Sequence, residues 1–88
     1  MNFEYDEHKS LINKDKHGVD FEAAKLIWQS DNIILEALTK DEPRYMIIGF
    51  IGNKIFSCIF TIRERKIRII SCRRSRDEER RLYYEKIK

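Results

Sequence analysis

The sequence predicts an α+β fold in which two N-terminal helices and one C-terminal helix accompany a small antiparallel sheet of three to four strands. Three observations carry this prediction. Helix caps and helical apolar spacing occupy roughly the first third of the chain. From Asn32 onward the pattern changes to short runs rich in β-formers. Those runs are separated by short turns, which join sequential strands as antiparallel neighbours and leave the helices to pack on one sheet face. The 88 residues are read as one domain, 1–88.

Phe3-Glu4-Tyr5 alternates like a short strand. Asp6 then caps a helix running to about Lys16, with Lys14 and Lys16 in its last turn and Gly18 placed to end it. Asp20 caps a second helix, on which Phe21, Ala24 and Trp28 form an apolar stripe best read as core. Ile33–Leu38 and Arg44–Ile51 are expected strands, and Gly52-Asn53 is a two-residue turn signal. Lys54–Ile62 follows with Phe56, Cys58, Phe60 and Ile62 on one face. After a polar turn, Ile67–Arg73 should present Ile67, Ile69, Ser71 and Arg73 on one face, and Arg68, Ile70, Cys72 and Arg74 on the other. Ser75-Arg76-Asp77-Glu78 reads as a capping box opening a last helix to about Ile87.

Charge is unevenly spread. Residues 1–62 hold seven Lys/Arg and ten Asp/Glu, whereas residues 63–88 hold eleven and five. Six arginines fall between Arg68 and Arg81. Such a concentration suits a polyanion or an acidic partner, or else a solvated, charge-rich helix. Cys58 and Cys72 lack metal-ligand or CxxC spacing and sit in apolar runs, so they are expected to be buried free thiols in a reducing cytoplasm. No signal peptide is expected, and no apolar run approaches the roughly 18–20 residues of a membrane span.

Two features could carry chemistry. On the last helix Arg76, Glu79, Arg80 and Tyr83 share a side, next to a strand ending in Arg73 and Arg74. Guanidinium groups match phosphate oxygens bidentately, and tyrosine can stack on a base. The same face could equally be a surface helix knitted by pairs such as Asp77–Arg81. The second feature is Lys16-His17-Gly18. It can be a simple helix end, but His is also the side chain that exchanges protons near neutral pH. RNA cleavage through the 2′-hydroxyl needs a base, an acid and cations around the phosphorane, all available from these residue types. No metal-ligand spacing and no Gly-rich phosphate loop is present.

Several motifs in one order resemble a known family. Phe3-Glu4-Tyr5-Asp6, Lys9, Asn13, Lys16-His17-Gly18-Val19 and Asp20-Phe21-Glu22-Ala23-Ala24 are similar to the N-terminal pattern of the BrnT toxins. Arg68-Ile69-Ile70-Ser71, Arg73-Arg74-Ser75, Glu78-Glu79 and Tyr83 are similar to their C-terminal pattern, across nearly the whole chain. Cys72 stands where Ala or Val is more usual. The resemblance implies a RelE-like fold and a metal-independent endoribonuclease without cofactor, arresting growth by cutting RNA. It also implies a BrnA-like ribbon-helix-helix antitoxin, operator DNA bound through that antitoxin, and a dimer or 2:2 heterotetramer away from membranes. Carried over by position, Lys16, His17, Arg73, Glu79 and Tyr83 are expected at the catalytic site. Arg73 would clamp the phosphate, and Glu79 would act as a base or hold an arginine. Lys9, Arg68, Arg74, Arg76 and Arg80 are expected to bind RNA. The alternative is an inactive homologue serving only as antitoxin-binding and operon-repressing partner. A free-standing DNA-binding regulator lacks a recognisable motif.

Overall fold

The computed structural model describes residues 2–37 and 41–87, so Leu38, the expected end of one strand, lies outside the described residues. The elements run β1 (Phe3–Glu4), α1 (Glu7–His17), α2 (Phe21–Ala24), a 3-10 segment Lys25–Gln29, β2 (Ile33–Ala37), β3 (Arg44–Ile51), β4 (Lys54–Arg63), β5 (Lys66–Arg74) and α3 (Asp77–Lys86). The two N-terminal caps form as the side chains dictate. Asp6 accepts from the Lys9 amide at 3.0 Å and Asp20 from the Ala23 amide at 2.8 Å. Gly18 ends α1 at φ +80°. The second helix is α-helical for one turn only. The residues buried from it, Phe21, Ala24 and Ile27, recur every three positions, the 3-10 spacing.

The sheet has five strands in the order β1-β5-β4-β3-β2, and β1 lies parallel to β5. It is therefore mixed, where an antiparallel sheet of three to four strands was expected. β1 has only two residues and pairs with Ile67 and Arg68, more than sixty positions away. Local alternation shows that such a segment is extended but not where it pairs.

A β-bulge alters the faces of β5. Ile59 pairs with Ser71 but Phe60 pairs with Ile69, which leaves Ile70 as the extra residue. Ile67, Ile69, Cys72 and Arg74 thus share a face with Phe56, Cys58 and Phe60. Arg68, Ser71 and Arg73 share the other with Thr61, Ile59 and Ser57. The uninterrupted alternation expected for this strand is overturned, and Arg73 moves away from the Ile67–Ile69 face.

Helices cover both faces of the sheet, not one. Phe21, Ala24 and Ile27 pack with Ile47, Phe56, Cys58, Phe60, Ile69 and Cys72 on the first. On the second, Tyr83 of α3 packs with Ile48 and Ile55, flanked by Leu35, Met46 and Phe50. The reason lies in β3 and β4, which are apolar on both sides. Ile47 and Ile48 are neighbours in sequence, point to opposite faces, and are both fully buried.

Candidate functional site

The junction of β5 and α3 is held by a connected polar network. Arg73 and Glu79 form a bidentate pair, with both nitrogen–oxygen distances at 2.8 Å. Ser57, directly opposite Arg73 on β4, donates to Glu79 Oε1 at 2.8 Å, and its Oγ lies 2.7 Å from that of Ser75. The Arg76 amide donates to the same Glu79 oxygen at 2.9 Å, closing the N-terminus of α3. The N-cap is thus Arg76 with Glu79 three residues on, one position later than the Ser75–Glu78 box expected. The Ser75 hydroxyl is buried against Ser57 and is not free to cap.

Burial alone would raise the Glu79 carboxyl. The Arg73 guanidinium, the Arg76 amide and the Ser57 hydroxyl outweigh it and hold the group down at about 2. Glu79 is therefore an engaged carboxylate at neutral pH. The same pairing raises the Arg73 guanidinium. A fork fixed on one carboxylate, with Nη1 also donating to the Arg74 carbonyl at 3.2 Å, keeps its position and leaves its remaining N–H groups for a further anion.

The other arginines differ in freedom. Arg80 donates to the Ser75 carbonyl at 2.6 Å and pairs with Asp77, where an Asp77–Arg81 pair was the expectation. Arg68 pairs with Glu4 at 3.0 Å. Arg74 is exposed, its guanidinium 5.8 Å from the Phe56 ring centre, and Arg76 is exposed at the start of α3. Tyr83 is only 3% exposed and donates to the Asp31 carbonyl at 2.8 Å. It faces inward, fastening α3 to the loop before β2.

Lys9, Lys16 and His17 stand exposed on α1. Ser10 and Asn13 form the buried side of that helix. Ser10 Oγ accepts from the Phe21 amide at 2.9 Å. Asn13 donates to the Cys72 carbonyl at 2.8 Å and to the Val19 carbonyl at 2.7 Å, and accepts from the Cys72 amide at 3.2 Å. The structure thus gathers Arg73, Arg74, Arg76, Glu79 and Arg80 at one junction. Among the described residues, no hydrogen bond or ion pair joins Lys9, Lys16 or His17 to that junction.

Sequence reasoning missed Ser57 and the roles of Asn13 and Ser75, the latter read as a helix cap. Ser57 interrupts the apolar run Ile55–Phe60, and a hydroxyl there was the available signal. It also missed that Cys58 and Cys72 are cross-strand partners. Both are free and fully buried, and the hydrogen bond to Cys72, together with burial, pushes the Cys58 thiol up. Among the described residues, no three His, Cys, Asp or Glu side chains cluster in a way that could hold a metal ion. No helix among them is long and apolar enough to cross a membrane.

A search of curated proteins found no match for the chain. The sequence model of one family, described as the ribonuclease toxin BrnT of type II toxin–antitoxin systems, matches residues 5–79. That span begins just before α1, covers all of β2–β5, and ends on Glu79, the carboxylate that holds Arg73. The chain belongs to the BrnT family of ribonuclease toxins.

Proposed function

We propose that the chain is a cytoplasmic endoribonuclease that cuts RNA without a metal, by attack of the substrate's own 2′-hydroxyl on the adjacent phosphate. The observation that carries this is the bidentate Arg73–Glu79 pair at an arginine-rich strand–helix junction. The new O2′–phosphorus bond yields a 2′,3′-cyclic phosphate, and the bond to the 5′-oxygen breaks as that oxygen takes up a proton. Arg73 and Lys16 stabilise charge on the phosphorane, and His17 takes the 2′-hydroxyl proton and delivers a proton to the departing 5′-oxygen. Glu79 acts as a positioning residue for Arg73, since its carboxylate is fully engaged. Tyr83 orients α3 from beneath. Lys9, Arg74, Arg76 and Arg80 line the RNA path, with Arg68 contributing less because Glu4 shares its charge.

Membership in a type II family implies a protein antitoxin. We assign it to the BrnA-like ribbon-helix-helix class, which would cover the basic junction, bind operator DNA and repress the operon in a 2:2 complex. Helices flanking an antiparallel meander support kinship with RelE-type ribonucleases.

Induced expression tests the proposal. Arg73→Ala and His17→Ala should abolish growth arrest while retaining cooperative melting. Losing a charge-stabilising contact costs about 10²–10³ in rate, and losing a proton-transfer group about 10²–10⁴. Full toxicity of both variants at equal expression would overturn the site. One observation favours a second reading. Arg68, Arg73 and Arg80 all spend guanidinium donors within the chain, as expected of an inactive, antitoxin-binding homologue. On that reading the wild-type protein itself does not arrest growth.

A further inference from the structure

β5 is incompletely paired on its outer side. β1 covers it only at Ile67 and Arg68. An edge strand left open carries N–H and C=O groups that need partners. At Cys72 both groups are taken by one side chain, the Asn13 amide, which donates to the carbonyl and accepts from the amide. Asn13 stands in for a neighbouring strand for the length of one residue. Its second N–H reaches the Val19 carbonyl, just past the end of α1, so the same side chain also fixes the turn that closes the helix. Asn13 is 6% exposed, and these bonds are shielded from water.

The placement of this contact matters for the site. Arg73 follows Cys72 directly, one Cα step of about 3.8 Å along the strand. Lys16 and His17 lie three and four residues beyond Asn13, neighbours on its helix face at about 5–6 Å. We infer that Asn13 is the positioning residue that sets the Lys16–His17 end of α1 against Arg73, so that cations from two separate elements converge on one phosphate. The inference rests on the proposed ribonuclease reading. Without the Asn13 contact, α1 can shift along the β5 edge. A misplacement of about 1 Å at such a site costs on the order of 10²-fold in rate. RNA binding depends on the exposed cations themselves and should change little.

The test is a double-mutant cycle on cleavage of a short RNA, using the full chain below the melting temperature of every variant. Asn13→Asp keeps an acceptor for the Cys72 amide and loses both donated bonds. Asn13→Ala loses all three. Either should lower kcat about 10²-fold with KM within about twofold. His17→Ala, costly in the wild-type background, should cost less than about tenfold once Asn13 is replaced, because the imidazole is already out of place. If His17→Ala costs the same factor in both backgrounds, Asn13 is only a structural bond and the inference falls alone. If His17→Ala is harmless in the wild-type background, the site reading falls and takes the inference with it. Should Asn13→Ala fail to melt cooperatively, Asn13→Ser, which keeps a small polar side chain without burying a charge against the Val19 and Cys72 carbonyls, carries the comparison.

Discussion

Glu79 shows how one residue's environment decides its chemistry. Exposed on a helix it would be an ordinary carboxylate and a candidate base. Here it accepts from Arg73, Arg76 and Ser57 at once, and its affinity for a proton collapses. Its pKa falls from an ordinary 4.5 to about 2. The linkage therefore has a definite sign: stability from this group is fully present above pH 4.5 and is lost as pH falls toward 2. Glu79→Gln should flatten the acid limb of the stability curve across that window, and urea melts at stepped pH would show it. An unchanged acid limb would mean that the pair contributes nothing to folding. Replacing the carboxylate should also cost about 1–3 kcal/mol near neutral pH, because it strips a half-buried guanidinium of its charged partner. Tyr83→Phe removes only the bond to the Asp31 carbonyl and should cost about 0.5–1.5 kcal/mol by the same melts.

At the scale of elements, the turns and caps separate what the sequence reveals from what it hides. Asp6, Asp20, Gly18 and the Gly52-Asn53 turn were legible because each acts within a few residues of itself, and Gly52 does adopt φ +63°. The β4–β5 turn is different. Glu64 and Arg65 both take positive φ, at 50° and 67°, a conformation that Asn and Gly adopt far more readily. Arg65→Gly should relieve about 1 kcal/mol of strain and raise Tm by about 4–8 °C; a lower Tm would show that Arg65 makes a compensating contact. Gly49 is the opposite case. A Cβ there would stand 2.7 Å from Ser30 Oγ and 3.0 Å from Ile27 Cγ2, so Gly49→Ala should cost about 1–3 kcal/mol in the same melts. The bulge at Ile70, the parallel pairing of β1 and the second covered face were not legible. Each depends on a partner strand distant in sequence. The site divides the same way. The basic residues of α3 were readable from helical spacing. The hold of Ser57 on Glu79, across 22 positions, was not, nor was that of Asn13 on Cys72, across 59.

For the whole molecule, charge and size act together. Of the cations concentrated after residue 62, Lys66, Arg68, Arg73 and Arg74 lie on β5 and Arg80, Arg81 and Lys86 on α3. So small a core leaves little stability to spare, so a partner that binds only the folded form should raise the melting temperature by mass action. Charge reversal at Arg73 or Arg80 should weaken the antitoxin complex and make its salt dependence shallower, as titrations at several ionic strengths would reveal. An unchanged salt slope would place the antitoxin elsewhere on the surface. The chemistry of the cut is tested by incubating purified, antitoxin-free protein with a defined RNA in EDTA. That substrate is paired with a copy carrying a single 2′-deoxy sugar at the cleavage site. Attack by the 2′-hydroxyl should leave 2′,3′-cyclic phosphate and 5′-hydroxyl ends, and the deoxy copy should resist. Cleavage that vanishes in EDTA and returns with Mg²⁺, or that proceeds equally on the deoxy copy, would contradict this chemistry.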